Sequence, residues 1–120
     1  GALVGASVEQ FDTILREAIT RYSGVECLYI LDQAGIQVTE TICNPSMQHR
    51  DRGSLFRPAP RGADHSLKEY YYVLLGVELP QYTTEPYVSL ASGSISRTVS
   101  TGFRDAENRL FVLCIDVVRD

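Results

Sequence analysis

The sequence has little of several features that mark particular protein classes. It has no tryptophan, one methionine, two histidines and three cysteines among its 120 residues. Basic residues are not in excess: the net charge is −4 and the isoelectric point is about 5.1, which gives a nucleic-acid partner little electrostatic support. No apolar run approaches the roughly 18 residues of a membrane-spanning helix, so none is expected within this chain.

The length and the apolar content suit one domain over residues 1–120. Hydrophobic residues make up 44% of the chain and charged residues 22%. A soluble fold of this size buries roughly two-thirds of its unfolded surface, which is enough for one core without disulfides.

The three cysteines are therefore interpreted as free thiols in a reducing compartment, because their number is odd and no disulfide scaffold is needed. Cys27 and Cys114 fall in apolar segments and are interpreted as small buried residues. A bridge between these two would require an oxidising compartment.

Apolar periodicity predicts the first half of the fold. A three- and four-residue spacing predicts an amphipathic helix over residues 7–22, with Ser7 and Gln10 placed for a capping box. Residues 25–31 are apolar on both faces of an extended chain and therefore predict a buried strand. Residues 36–42 alternate between apolar and polar side chains and predict a strand with one face in solvent. A turn ending at Gly35 joins the two strands.

The second half begins with a proline-rich loop over residues 43–61. Asp64 or Ser66 is placed to cap a short helix over residues 67–75, and residues 79–86 predict another loop. Three further strands are predicted over residues 87–91, 95–103 and 110–118. The last of these is apolar on both faces and is expected at the centre of the sheet.

This order predicts an α+β fold with a five-stranded antiparallel sheet. The long N-terminal helix would cover one face, and the loop with the short helix would cover the other. A pocket is expected between that second layer and the sheet, in a PAS-like arrangement.

Over residues 25–118 the sequence resembles the Cache (PDC) family of PAS-like sensor domains in bacterial receptors. The resemblance is carried by segments in the family's order: residues 29–38 (YILDQAGIQV), 66–71 (SLKEYY), 85–89 (EPYVS), 98–105 (TVSTGFRD) and 112–116 (VLCID). It implies an extracytoplasmic position between membrane helices, whereas the free cysteines favour the cytoplasm.

The resemblance also implies a ligand site. Amino-acid-binding members use an Arg-x-Trp-Tyr motif on the pocket helix, a tyrosine on the third strand and an aspartate on the last. These positions fall on Lys68, Tyr70, Tyr71, Tyr87 and Asp116. Lysine replaces the arginine that would hold a carboxylate at two points, and tyrosine replaces the tryptophan wall.

Ser89 closes the strand-entry motif and completes this group. Arg97 and Thr98 lie mid-strand, where one of the two must face the pocket, and Arg97 is a candidate for binding a carboxylate.

The residues themselves leave alternatives open. Tyr70, Tyr71 and Tyr72 fan out in steps of about 100° around a helix, so they cannot share one face. Aromatic packing, a solvated Lys68 and a surface Arg97 are the structural alternatives to ligand contacts. A carboxylate on a buried strand is costly unless it is paired, which favours a functional role for Asp116.

No metal or catalytic site is predicted. Neither the histidine and cysteine spacing of a metal site nor the glycine pattern of a nucleophile elbow is present. No cofactor is indicated, and the domain is not expected to be an enzyme.

The function predicted is that of a ligand-binding sensory domain of a bacterial signalling protein. The expected ligand is a small polar molecule (an amino acid, carboxylate or amine), most simply one bearing a carboxylate. Binding would act on an attached output module of the kinase, chemotaxis or cyclic-di-GMP type, and the first helix offers a surface for a homodimer. The alternative is a degenerate Cache domain that serves dimerisation or protein contact without a ligand.

Overall fold

The structure, a computed structural model, describes residues 2–45, 58–88 and 95–118. Within these residues the chain is an α+β domain with two helices and six strands. In chain order they are α1 (Val8–Ile19), β1 (Val25–Leu31), β2 (Ile42–Cys43), α2 (Glu69–Gly76), β3 (Gln81–Thr83), β4 (Tyr87–Val88), β5 (Ile95–Arg104) and β6 (Leu110–Val118). Neither of these helices is both long and apolar enough to cross a membrane.

The strands form one antiparallel sheet in the order β2-β1-β6-β5-β3, with β4 also paired to β5. The bounds of β1 and β6 and their interior position confirm the prediction from their apolar residues. The prediction of five strands is wrong within the described residues, because β3 lies where a loop was expected and pairs with β5. Residues 89–91 of the predicted fourth strand lie outside the described residues.

The strand predicted over residues 36–42 is mostly wrong. Only its last residue belongs to β2, and Gln37 and Thr39, expected in solvent, are buried. Thr39 Oγ1 accepts a hydrogen bond from Ile30 N–H (3.2 Å), and Gln37 Nε2 donates to Thr39 O (2.8 Å). These side-chain hydrogen bonds replace a regular strand ladder and offset the free-energy cost of burying the two polar residues.

One face of the sheet is covered by α1, as predicted, although the helix ends at Ile19 rather than at residue 22. Ser7 N–H donates to Gln10 Oε1 (3.0 Å), which confirms the role of Gln10 in the predicted capping box. The helix buries its apolar stripe against the odd-numbered side chains of β6 and the even-numbered ones of β1. This first core includes Phe11, Leu15, Ile19, Leu28, Ile30 and Phe111.

The opposite face carries α2 and a smaller core. The helix begins at Glu69 with Lys68 as its N-cap residue, so the expected caps are wrong. Asp64 instead accepts a hydrogen bond from Ser66 N–H (2.8 Å) in the turn before the helix. The apolar contacts on this face involve Tyr29, Leu31, Tyr70, Leu74, Val112 and Cys114.

The cysteines correct another prediction. Cys27 on β1 and Cys43 on β2 are register partners with Cα atoms 4.1 Å apart, and their sulfur atoms form a disulfide. The prediction of free thiols is therefore wrong for this pair. Cys114 is free and buried, as expected, and lies opposite Tyr29 rather than opposite Cys27.

Candidate functional site

A pocket of about 460 Å³ opens between α2, the chain around β4 and the sheet face that carries β1 and β6. Four of the predicted site residues line it: Lys68, Tyr70, Tyr87 and Asp116. The other lining residues are Tyr29, Thr41, Ala59, His65, Glu69, Thr84, Glu85, Pro86 and Val88. The expected location between the second layer and the sheet is thus confirmed.

Asp116 is the charged group of the pocket floor, with only 5% of its surface exposed. Thr98 Oγ1 donates to its Oδ1 at 2.8 Å, and Tyr29 OH donates to the same oxygen at 3.1 Å. The hydroxyls of Tyr87 and Thr98 are also hydrogen-bonded. Because Thr98 donates its single hydroxyl proton to Asp116, Tyr87 must be the donor to Thr98.

Burial raises the pKa of Asp116 to about 6. The hydrogen bonds from Thr98 and Tyr29 oppose this rise, and the nearby Glu26 carboxylate adds to it. The side chain is therefore an ionisable acid near neutrality, held in one orientation by two hydroxyl donors.

Glu26 is a second buried carboxylate, 3% exposed, behind the pocket floor. Ser96 Oγ donates to its Oε1 (3.2 Å), but no described residue is hydrogen-bonded to its Oε2. None of the ion pairs among the described residues includes Glu26 or Asp116. Two buried acids thus lie at and behind the pocket floor, and no basic side chain among the described residues is paired to them.

His65 forms part of the pocket wall. Its ring stacks on the ring of Tyr29, with centroids 5.3 Å apart. The segment that carries His65 packs closely against Gly35, where a Cβ would lie 2.9 Å from Ser66 Cα. His65 Nε2 lies 2.9 Å from Gln37 Oε1, and Nδ1 lies 2.6 Å from Tyr70 OH.

The protonation of His65 follows from these partners. Gln37 uses its amide nitrogen as a donor elsewhere, so its Oε1 accepts from the Nε2–H of His65, and Nδ1 accepts from Tyr70. Burial, helped by the charge of Lys68 and opposed by Asp64, lowers the pKa of His65 to about 4. The imidazole is therefore neutral near pH 7, with both nitrogens engaged.

The remaining predicted site residues lie elsewhere. Tyr71 does not line the pocket, because its hydroxyl donates to Gln33 O (2.6 Å). Arg97 is exposed, on the opposite side of β5 from the buried Ser96 and Thr98, so its placement in the pocket is wrong. Ser89 lies outside the described residues.

Lys68 lines the pocket at its exposed rim, where α2 begins. The predicted fanning of the three tyrosines is confirmed: Tyr70 is buried against the sheet, while Tyr72 is exposed.

Sequence reasoning missed the roles of Tyr29, Glu26 and His65. The alternation of strands contained one signal: Ser96, Thr98 and Ser100 place a row of hydroxyls on a single face, and all three are buried. A row of buried hydroxyls indicates a polar interior on that side. For His65 no local pattern existed, because its partners come from distant parts of the chain.

Among the described residues, one group has the atoms to ligate a metal ion. Oxygens of Glu26 and Asp116 and the sulfur of Cys27 lie within 4.8 Å of one another. In the disulfide state, however, the Cys27 sulfur is bonded to Cys43.

Comparison with protein-family models and with curated protein sequences finds no match to this chain. Among solved structures, it is similar to the Bacillus subtilis YkuI protein, which has an EAL domain and was crystallised with its substrate c-di-GMP and calcium. The match has a TM-score of 0.55 and 17% identity, and covers 94% of this chain but 30% of YkuI. The similarity is one of fold, and this chain spans less than a third of YkuI's length.

Proposed function

We propose that this chain is a PAS-like sensor domain of the Cache type that binds a small ammonium-bearing metabolite, either an amino acid or an amine. The observation that carries the proposal is the buried Asp116 carboxylate at the floor of a 460 Å³ pocket, oriented by Thr98 and Tyr29. A buried carboxylate is costly until it is paired, and a ligand ammonium group is the partner that a pocket supplies.

The charge of the pocket lining favours a cation over an anion. The described lining residues include three acids, Asp116, Glu69 and Glu85, but one base, Lys68, since His65 is neutral. Tyr29, Tyr70 and Tyr87 add aromatic walls that suit an ammonium group and exclude water. We therefore expect a ligand carboxylate, where there is one, to lie at the rim near Lys68.

Binding without catalysis is the simplest use of this arrangement. His65 is not available to the ligand as a general base, because both of its ring nitrogens already have partners. The ligand would act on the parent protein through its contacts with Lys68 and Tyr70 at the start of α2. It can shift the conformation of the protein only to the extent that it binds one conformation more tightly than another.

For the output module we propose the cyclic-di-GMP type. The support is the matching Bacillus subtilis chain, which is much longer than its aligned part, includes an EAL domain and binds c-di-GMP. A domain of this fold would then regulate such a module in the same polypeptide.

Thermal-shift screening and calorimetry test the ligand proposal. Each of the twenty amino acids is compared with its decarboxylated amine and its deaminated acid, since a ligand that binds only the folded state raises the unfolding midpoint. We expect the matching amino acid and its amine to stabilise the protein, and the deaminated acid to have no effect. Asp116→Asn should weaken amine binding about 10- to 100-fold, the value of a charged hydrogen bond.

Lys68→Ala and Arg97→Ala form a matched pair of charge deletions. Lys68→Ala should weaken binding of the amino acid but not of the amine, whereas Arg97→Ala should change neither. If no amine or amino acid stabilises the protein, the ligand proposal is wrong, and sedimentation then tests the dimerisation alternative.

A further inference from the structure

The proposed amine accounts for Asp116 but leaves Glu26 unexplained. Only 3% of the Glu26 surface is exposed, and its Oε2 has no hydrogen-bond partner among the described residues. A buried carboxylate oxygen without a partner is costly in free energy, and a positively charged group is the partner that removes this cost. No Lys or Arg among the described residues forms an ion pair with Glu26, so a bound cation would satisfy the open oxygen.

The local backbone explains why Glu26 points to this side of the sheet. Val25 pairs with Val117 and Cys27 with Asp116, so β1 has one residue more than β6 at this point. This β-bulge breaks the usual alternation and places Glu26, like Cys27, on the pocket side, where Ser96 reaches it. Bulges next to functional sites commonly serve to aim a side chain in this way.

The three side chains brought together carry donor atoms that a zinc ion accepts. A thiolate and two carboxylates suit Zn²⁺, whose bonds of about 2.0–2.3 Å keep tetrahedral ligand atoms about 3.5 Å apart. The Glu26, Cys27 and Asp116 ligand atoms lie within 4.8 Å of one another, so small side-chain movements bring them into range.

We propose that Glu26, Cys27 and Asp116 form a zinc site that is closed by the Cys27–Cys43 disulfide and opened by its reduction. β1 stays paired to β6 in either state, so Cys27 and Asp116 remain opposite each other. Cys43 is half-buried on the edge strand β2 whereas Cys27 is fully buried, so we expect a reductant to attack the Cys43 sulfur.

The chemistry balances with a dithiol as reductant. One of its thiolates attacks the Cys43 sulfur, the bond between the Cys43 and Cys27 sulfurs breaks, and the second dithiol thiolate releases Cys43. The products are two cysteine thiols and the oxidised reductant. Zn²⁺ then replaces the proton of the Cys27 thiol, forming an Sγ–Zn bond and releasing that proton to solvent.

Zinc titration with a competing chromophoric chelator tests this proposal, in the absence of any amine so that the ligand proposal is not involved. Cys43→Ser keeps Cys27 as a free thiol without a reductant. We expect Cys43→Ser to bind one Zn²⁺ at least about tenfold more tightly than the oxidised parent, and Glu26→Gln added to it to lose about tenfold or more. Cys114→Ser added to it should bind zinc unchanged, because Cys114 is outside the group.

A second measurement covers the case in which Cys43→Ser does not fold, as judged by circular dichroism. The parent is then reduced with a phosphine, desalted without oxygen and titrated in the same way, and its zinc affinity should rise at least about tenfold over the oxidised form. The proposal is wrong if the folded Cys43→Ser protein or the reduced parent binds zinc no better than the oxidised parent. It is also wrong if Cys27→Ser/Cys43→Ser binds zinc as tightly as Cys43→Ser.

Discussion

The two faces of the same sheet bury different kinds of side chain. On the α1 face, β6 contributes Phe111 and its odd-numbered neighbours to an apolar core around Phe11. On the α2 face, the same strand contributes Cys114 and Asp116, and β5 contributes three hydroxyl side chains. Because side chains alternate along a strand, neighbouring residues lie on opposite faces. The α1 face carries the larger apolar cluster, and the α2 face holds polar groups around a pocket.

The largest expected effect is on the α1 face. Phe11 is fully buried, and its ring makes edge contacts with Phe111 (5.1 Å) and Phe103 (5.5 Å). Phe11→Ala should lower the free energy of unfolding by about 3–5 kcal/mol through lost burial and the cavity left behind. Urea unfolding measures this, with the exposed Tyr72→Ala as a matched aromatic deletion costing under about 1 kcal/mol.

Amine binding should be unchanged in Phe11→Ala at temperatures where the protein is folded. A comparable loss of stability in both variants would contradict the assignment of the main apolar core to the α1 face.

The next effect, on the α2 face, has the opposite sign. Burial raises the pKa of Asp116 from 3.8 to about 6, so the favourable contribution of this group is complete below about pH 4 and is lost as the pH rises through 6. At pH 8 the ionised group costs up to about 3 kcal/mol. Asp116→Asn should therefore make the unliganded protein about 1–3 kcal/mol more stable at pH 8, and this gain should vanish near pH 4.

Urea unfolding of both proteins at the two pH values measures this difference, and the exposed Glu17→Gln should show none. A variant that is less stable than the parent at pH 8 would show that the carboxylate stabilises the fold, as an ordinary structural group does.

The last comparison is between one hydroxyl on each face of β5. Thr98 is fully buried and links Tyr87 to Asp116, so Thr98→Val should cost about 1–3 kcal/mol and weaken amine binding. Thr101 donates to Pro80 O (2.9 Å) on the other face, where it is partly exposed, and Thr101→Val should cost less than about 1 kcal/mol. Unfolding and calorimetry measure the two changes, and equal losses in both would remove the distinction between the faces.

Much of the fold was predictable because apolar patterning reports burial directly. The apolar residues of β1 and β6 gave correct strand bounds, and the stripe around Phe11 gave the helix that covers one face. The pattern failed at residues 36–42, where Gln37 and Thr39 are polar but buried. Gln37 is held by Ala59 O (3.3 Å) and by His65, both far along the chain, and such tertiary contacts are not contained in any local period.

The site was predictable in part for the same reason. The resemblance pointed to Lys68, Tyr70, Tyr87 and Asp116, all of which line the pocket, but the carry-over to Tyr71 failed and Arg97 proved to lie on the opposite face. Glu26 could not have been found from alternation, because a bulge reverses the side to which it points. The pairing of Cys27 with Cys43 was missed because β2 is only two residues long.

Calorimetric titration of the amine that the thermal-shift screen identifies, into the parent and into Asp116→Asn, tests the central claim most directly. We expect the parent to bind the amine but not the deaminated acid of the same amino acid, and the variant to lose about 10- to 100-fold in amine affinity while remaining folded. Equal affinity of the parent and the folded variant would contradict the claim that Asp116 holds the ligand.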